Sequence, residues 1–115
     1  MRVIIAGWRE FNDYELLKQV IKEANFDITT ILSGCARGAD ALGERYAIEN
    51  KIELEEYPAD WNGHGKRAGI IRNEVMACNA DALIAILSKQ SIGTLDMIKR
   101  AVNKGLIIHV YQLSD

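Results

Sequence analysis

Three short segments of this 115-residue chain combine glycine, hydroxyl and guanidinium groups at a spacing suited to holding an anion. In Ser33-Gly34-Cys35-Ala36-Arg37-Gly38-Ala39-Asp40, small residues and two glycines open a helix directly after a strand. The N–H groups left unpaired at such a helix start, with the positive end of its dipole, suit a phosphate. Arg37 adds a formal charge there. The same residues also satisfy a plainer requirement, a tight strand–helix turn capped by Asp40 or Ser33. The segment is neither a GxGxxG nor a Walker A motif.

In Gly7-Trp8-Arg9-Glu10-Phe11, Gly7 permits close approach of backbone to a ligand. Arg9 offers a bidentate fork and Trp8 a stacking surface. The competing reading has Trp8 and Phe11 cover the sheet end while Arg9 is solvated. In Ser88-Lys89-Gln90-Ser91-Ile92-Gly93-Thr94, the residues Ser91, Gly93 and Thr94 place small hydrogen-bonding groups at a helix start, where Ser91 would also serve as an N-cap. A fourth region, residues 57–73, supplies Asp60 and His64 as candidate acids or bases. It also supplies Arg72 and Asn73, which either reach a ligand or pair at the surface.

The elements that carry these segments alternate. Residues 3–6 are a continuous apolar run ended by Gly7, as for a strand buried on both faces. Asn12 is the expected N-cap of the first helix, with Glu15 completing a capping box. Leu16, Leu17, Val20, Ile21 and Ala24 follow at helical spacing. Strands are expected at residues 29–32, 52–57, 82–87 and 106–110, and helices at 38–50, 67–78 and 92–104. Residues 58–66 read as a loop. The last helix is expected to turn Leu95, Ile98, Ala101 and Val102 inward, with Gly105 as its C-cap. The glutamate-rich strand at 52–57 belongs at a sheet edge.

Strict alternation of strand and helix predicts a three-layer α/β/α, Rossmann-like fold, with a five-stranded parallel sheet in the order 3-2-1-4-5. Length fits one domain spanning residues 1–115. Ligands of such sheets bind beyond the carboxyl ends of the strands, where strand order reverses. The loops after strands 1, 2 and 4 meet there.

Composition narrows the function classes. Net charge is −2, from 14 basic and 16 acidic residues, which counts against a nucleic-acid partner bound through bulk charge. Cys35 and Cys78, with the isolated His64 and His109, have no metal-ligand spacing, so no metal is expected. Two thiols without a disulfide framework read as reduced and cytoplasmic. No apolar run approaches the roughly 20 residues of a membrane-spanning helix. A thin sheet with few large residues also fits a homodimer that buries one face.

The ordered blocks from Gly7 to Gly105 resemble the YspA/YpsA-related branch of the SLOG superfamily. They are the segment 33–40; Tyr57-Pro58-Ala59-Asp60-Trp61 with Gly65-Lys66, Ala68-Gly69 and Ile71-Arg72-Asn73; Ala80-Asp81-Ala82-Leu83-Ile84-Ala85; and Ser91 with Gly93-Thr94 and Met97. The resemblance implies a Rossmannoid fold related to the DprA (Smf) proteins and to LOG-type phosphoribohydrolases, in bacterial or phage proteins. It implies a nucleotide or ADP-ribose-like ligand and no required cofactor. Cys35 stands where the branch has a second glycine, and Ser88-Lys89-Gln90-Ser91 where it often has Asp-Gly-Lys-Ser. Met97 takes the place of the LOG-type catalytic glutamate, and the adjacent Asp96 points about 100° away on a helix.

Three functions follow as expectations. The first is a nucleotide-binding or sensing module built from Gly7, Trp8, Arg9, Ser33, Gly34, Arg37, Gly38, Asp40, Arg72, Asn73, Ser91, Gly93 and Thr94. The second is a hydrolase of nucleotide derivatives with Asp60 or Asp96 as general base and Arg37 and Arg72 on the phosphate. The third is a DNA-processing accessory of DprA type.

Overall fold

The computed structural model describes residues 1–114. Five strands, β1 (Arg2–Gly7), β2 (Thr30–Ser33), β3 (Glu53–Glu56), β4 (Ala82–Leu87) and β5 (Ile107–Gln112), form one parallel sheet in the order β3-β2-β1-β4-β5. The helices are α1 (Tyr14–Ala24), α2 (Ala39–Glu49), α3 (Trp61–His64), α4 (Ala68–Cys78) and α5 (Ile92–Asn103), with a 3-10 turn at Gly65–Arg67. The sheet order is the one expected from alternation. None of the helices is long and apolar enough to cross a membrane.

The two most apolar strands lie side by side at the centre. Val3, Ile4 and Ile5 of β1 and all of Ala82 to Ile86 in β4 are fully buried. Alternation splits their side chains between two cores. Val3, Ile5, Ile84 and Ile86 pack with Leu17 and Val20 of α1 and with Ala39 and Ala47 of α2. Ile4, Leu83 and Ala85 pack with Met76 of α4 and with Met97 and Ala101 of α5. Each fully buried aliphatic side chain contributes about 1.5–3 kcal/mol, against the entropy of ordering the chain. On the first face Tyr14 ties the helices together: its hydroxyl donates to Glu49 (2.7 Å) and its ring lies under the Arg45 guanidinium.

Some local expectations need correction. The N-cap of α1 is Asp13, not Asn12: the Asp13 carboxylate accepts the Leu16 N–H at 3.1 Å. The side chain nearer the helix reaches the free donor first. Asp13→Ala should therefore cost about 1 kcal/mol, while the exposed Asn12→Ala should change stability by less than about 0.5 kcal/mol. Equal urea midpoints for both variants would contradict this assignment. Residues 58–66 are not all loop, because Asp60 caps α3 by accepting the Gly63 N–H and the 3-10 turn follows. The last strand runs to Gln112 instead of ending at Val110.

The largest correction is in α5. Leu95 and Val102 are exposed, at 52% and 61%, while Thr94, Met97 and Ala101 face the sheet and Ile98 is half-buried. Apolar residues cover too wide an arc of this helix for a single sheet face to bury them all. Gly105, with φ +74°, follows the C-cap Lys104 and ends the helix.

Candidate functional site

The loops that follow β1, β2 and β4 meet at the carboxyl end of the sheet, the expected crevice, around Gly34. A Cβ at this buried position would stand 2.7 Å from Nη1 of Arg72 and 2.9 Å from Oδ2 of Asp40. Glycine is thus the residue that lets a guanidinium and a carboxylate close on the loop from two sides. Arg72 donates to the Gly34 carbonyl through Nη1 and to Asn73 Oδ1 through Nε (3.0 Å). The buried Asn73 amide donates to Asp96 (2.9 Å) and to the Gly93 carbonyl (3.3 Å). One chain of hydrogen bonds thereby runs from the β2 loop through α4 to the start of α5.

Asp40 lies in the first turn of α2 and is only 6% exposed. It accepts the Ala36 N–H at 3.3 Å, and the Gly7 N–H is directed at it. Its carboxyl pKa is pushed up to about 6, mainly because burial disfavours the charged form. The Ala36 N–H and the Arg72 guanidinium oppose that shift without cancelling it. Asp40 is therefore a structural partner of the loop rather than a cap. The N-cap of α2 is Gly38, with φ +76° and no capping side chain. A Cβ there would lie 2.4 Å from the Trp8 carbonyl oxygen. The Ala39 N–H donates to that same carbonyl at 3.2 Å, which locks the β1 and β2 loops together. Gly7 completes the junction, since a Cβ would stand 2.6 Å from the Ile86 carbonyl of β4.

The remaining predicted residues fall into four groups. Ser33 is buried and donates to Glu44 at 2.6 Å, while its Oγ accepts the Cys35 N–H. Ser91 begins α5, but its Oγ turns back to accept the Ser88 N–H (3.0 Å) rather than capping the helix. Thr94 is buried, whereas Gly93 borders open space. Arg9 and Arg37 sit on the rim. Arg37 is paired with Glu10, a contact between two loops that no spacing rule announces. The Trp8 ring does not stack over the crevice. It lines a separate shallow groove of about 270 Å³ on the α1 side, with Phe11, Leu16 and Leu113.

Both candidate bases already carry local hydrogen bonds. Asp96 is held by Asn73 and by Arg100 (3.0 Å), and Asp60 is exposed and occupied as the cap of α3. The exposed His64 forms the end of α3. Sequence reading missed Glu44 and Glu56, whose carboxylates converge with the Cys35 thiol so that the three donor atoms lie within 4.8 Å of one another. They come from three different elements, so no spacing reveals them. Desolvation and both carboxylates raise the Cys35 pKa, keeping it a thiol. Two polar pairs were legible at helical spacing and overlooked: Asp40 with Glu44, and Asp96 with Arg100.

A parallel sheet of this order with glycine-built loops at its reversal point defines a Rossmann-like α/β protein. The chain belongs to the YspA, cpYpsA-related SLOG family, whose model matches residues 1–64. It is similar to the Gene 61 protein of Mycobacterium phage D29, with 31% identity over 115 residues and 91% of each chain covered. The fold is also that of the DNA processing protein A (DprA) structure from Streptococcus pneumoniae, at a TM-score of 0.77 and 18% identity. That match covers 95% of this chain and 49% of the DprA chain, so this chain spans about half its length.

Proposed function

We propose that this protein binds a nucleotide or nucleotide-derived phosphate ligand, of ADP-ribose type, in the crevice at the carboxyl ends of β1, β2 and β4, and acts as a binding or sensing module. The observation that carries this reading is the floor around Gly34, where Arg72 and Asp40 close on a side-chain-free loop. A loop that only turned the chain would not need a half-buried arginine held on its carbonyl. The starts of α2 and α5 open on the same crevice and supply N–H donors and positive dipole ends. The exposed Arg9 adds charge that an anion meets on approach.

Turnover has weaker support. A general base must reach its proton with a free acceptor. One oxygen of Asp60 is engaged as a helix cap and one of Asp96 by Asn73 and Arg100, and Met97, in the place of the LOG-type glutamate, is buried in the core.

Ligand binding to the native state alone raises the melting temperature. At a hundredfold excess over Kd the gain is about 2.7 kcal/mol, or on the order of 10 °C for a domain this size. Melting is measured with adenine and guanine nucleotides and ADP-ribose, on the wild type and on Gly34→Ala. The expected result is a shift in the wild type that the alanine variant loses while keeping a cooperative melt. No shift with any of these ligands would overturn the reading.

A further inference from the structure

We infer, resting on the binding reading above, that Trp61 is the platform on which the base of the bound nucleotide stacks, with Arg72, Lys66 and Arg67 beside it for the phosphates. The tryptophan expected to stack, Trp8, lines a groove on the α1 side instead. Trp61 begins α3 and is 60% exposed. An indole this open leaves a large apolar face in water.

Trp61 stands next to the arginine that holds the β2 loop. The position a Gly69 Cβ would take is 3.5 Å from Cη2 of Trp61 and 3.7 Å from Nη2 of Arg72. Arg72 engages the Gly34 carbonyl through Nη1 and Asn73 through Nε. Among the described residues Nη2 has no hydrogen-bond acceptor. A guanidinium N–H without an acceptor and an open aromatic ring therefore meet beside one residue of α4. A phosphate accepts strongly from a guanidinium, and a base stacks on an indole. A nucleotide carries both groups.

The local charge fits the same ligand. From Trp61 to Asn73 the chain has Lys66, Arg67 and Arg72 and no Asp or Glu, although its net charge is −2. Lys66 and Arg67 are exposed, and among the described residues neither joins a salt bridge. Arg37, by contrast, is paired with Glu10. The acidic balance of the whole chain favours a free nucleotide over a polymer, whose binding depends on many phosphate contacts. Stacking engages the face of a base and not its hydrogen-bonding edge, so adenine and guanine should serve alike.

Calorimetric titration of the full chain with ADP, GDP and ribose 5-phosphate tests this, on the wild type, Trp61→Ala and Trp61→Phe. Trp61 is exposed, so both variants should keep a cooperative melt. The expected result is similar affinity for ADP and GDP in the wild type. Trp61→Ala should weaken both by about ten- to a hundredfold and leave ribose 5-phosphate unchanged. Trp61→Phe, which keeps a ring, should recover most of the loss. Equal ADP affinity in the wild type and Trp61→Ala would overturn this assignment while binding itself stands. So would an equal loss for ribose 5-phosphate, which would make Trp61 a support of the segment. A short single-stranded oligonucleotide bound more tightly than ADP would overturn it in favour of a polymer. No binding of any of the three ligands would overturn both this assignment and the binding reading.

Discussion

Replacing Gly38 by alanine should lower the unfolding free energy by roughly 4 kcal/mol, from backbone strain and overpacking together. Two independent effects add at this residue. Its backbone, at φ +76° and ψ −128°, lies in a region that residues with a Cβ rarely adopt. The new Cβ would also point at fixed backbone: 2.4 Å from the Trp8 oxygen and 2.5 Å from the Arg9 carbonyl. Neither neighbour can swing aside as a side chain would, because the Trp8 carbonyl already accepts from Phe11 and Ala39. A loss of this size is a large part of the roughly 5–15 kcal/mol of a typical domain. It should appear as a lower urea midpoint with an unchanged slope. Gly93→Ala is the matched control: its Cβ would meet nothing within 4 Å, and alanine is the better helix former. A Gly38→Ala midpoint equal to that of the wild type would show that the β1 and β2 loops are not locked as described.

Asp40→Asn should change how stability depends on pH. The folded carboxyl has a pKa of about 6, against 3.8 for the unperturbed group. The folded protein therefore holds this proton more tightly than the unfolded chain. Between about pH 4 and pH 6 the unfolded state releases it first, so this group's contribution to stability falls as pH rises and stays lower above pH 6. A separation of about two pKa units corresponds to about 3 kcal/mol. Asparagine keeps an acceptor for the Ala36 N–H but has no proton to lose. The variant should gain on the wild type steadily from pH 4 to pH 7, whatever constant offset its amide introduces. A wild-type-minus-variant difference that stays flat over that range would remove Asp40 as the responsible group. The same proton bears on the site, because Arg72 lies beside both Asp40 and the crevice.

Much of the frame was legible from apolar patterning. The fully buried β1 and β4 read as continuous apolar runs, and a glutamate-rich β3 read as an edge. A small-residue loop at 33–40 marked the crevice because strand, glycine and helix followed without spacer. What pattern could not show was which polar groups face one another. Arg72 reaches Gly34 across 38 positions, and Glu10 takes Arg37 across 27. Asp40, read as a candidate cap, is a buried carboxyl: Gly34 leaves it room, and the N–H groups of Ala36 and Gly7 are directed at it. Trp8, placed beside the ligand by its loop, points to the other face of the sheet.

The sequence by itself determined the order of elements, the family, and the segments that end at the crevice, since each depends on residues close together in the chain or on the period of burial. Only the tertiary structure decided which of those segments form the floor, which stand on the rim, and which donors each aspartate meets. The same holds for α5. Its apolar positions announce a helix that buries a wide face, but one sheet covers only part of that arc. Which part is covered is set by the sheet surface, a feature that exists only once the strands have paired.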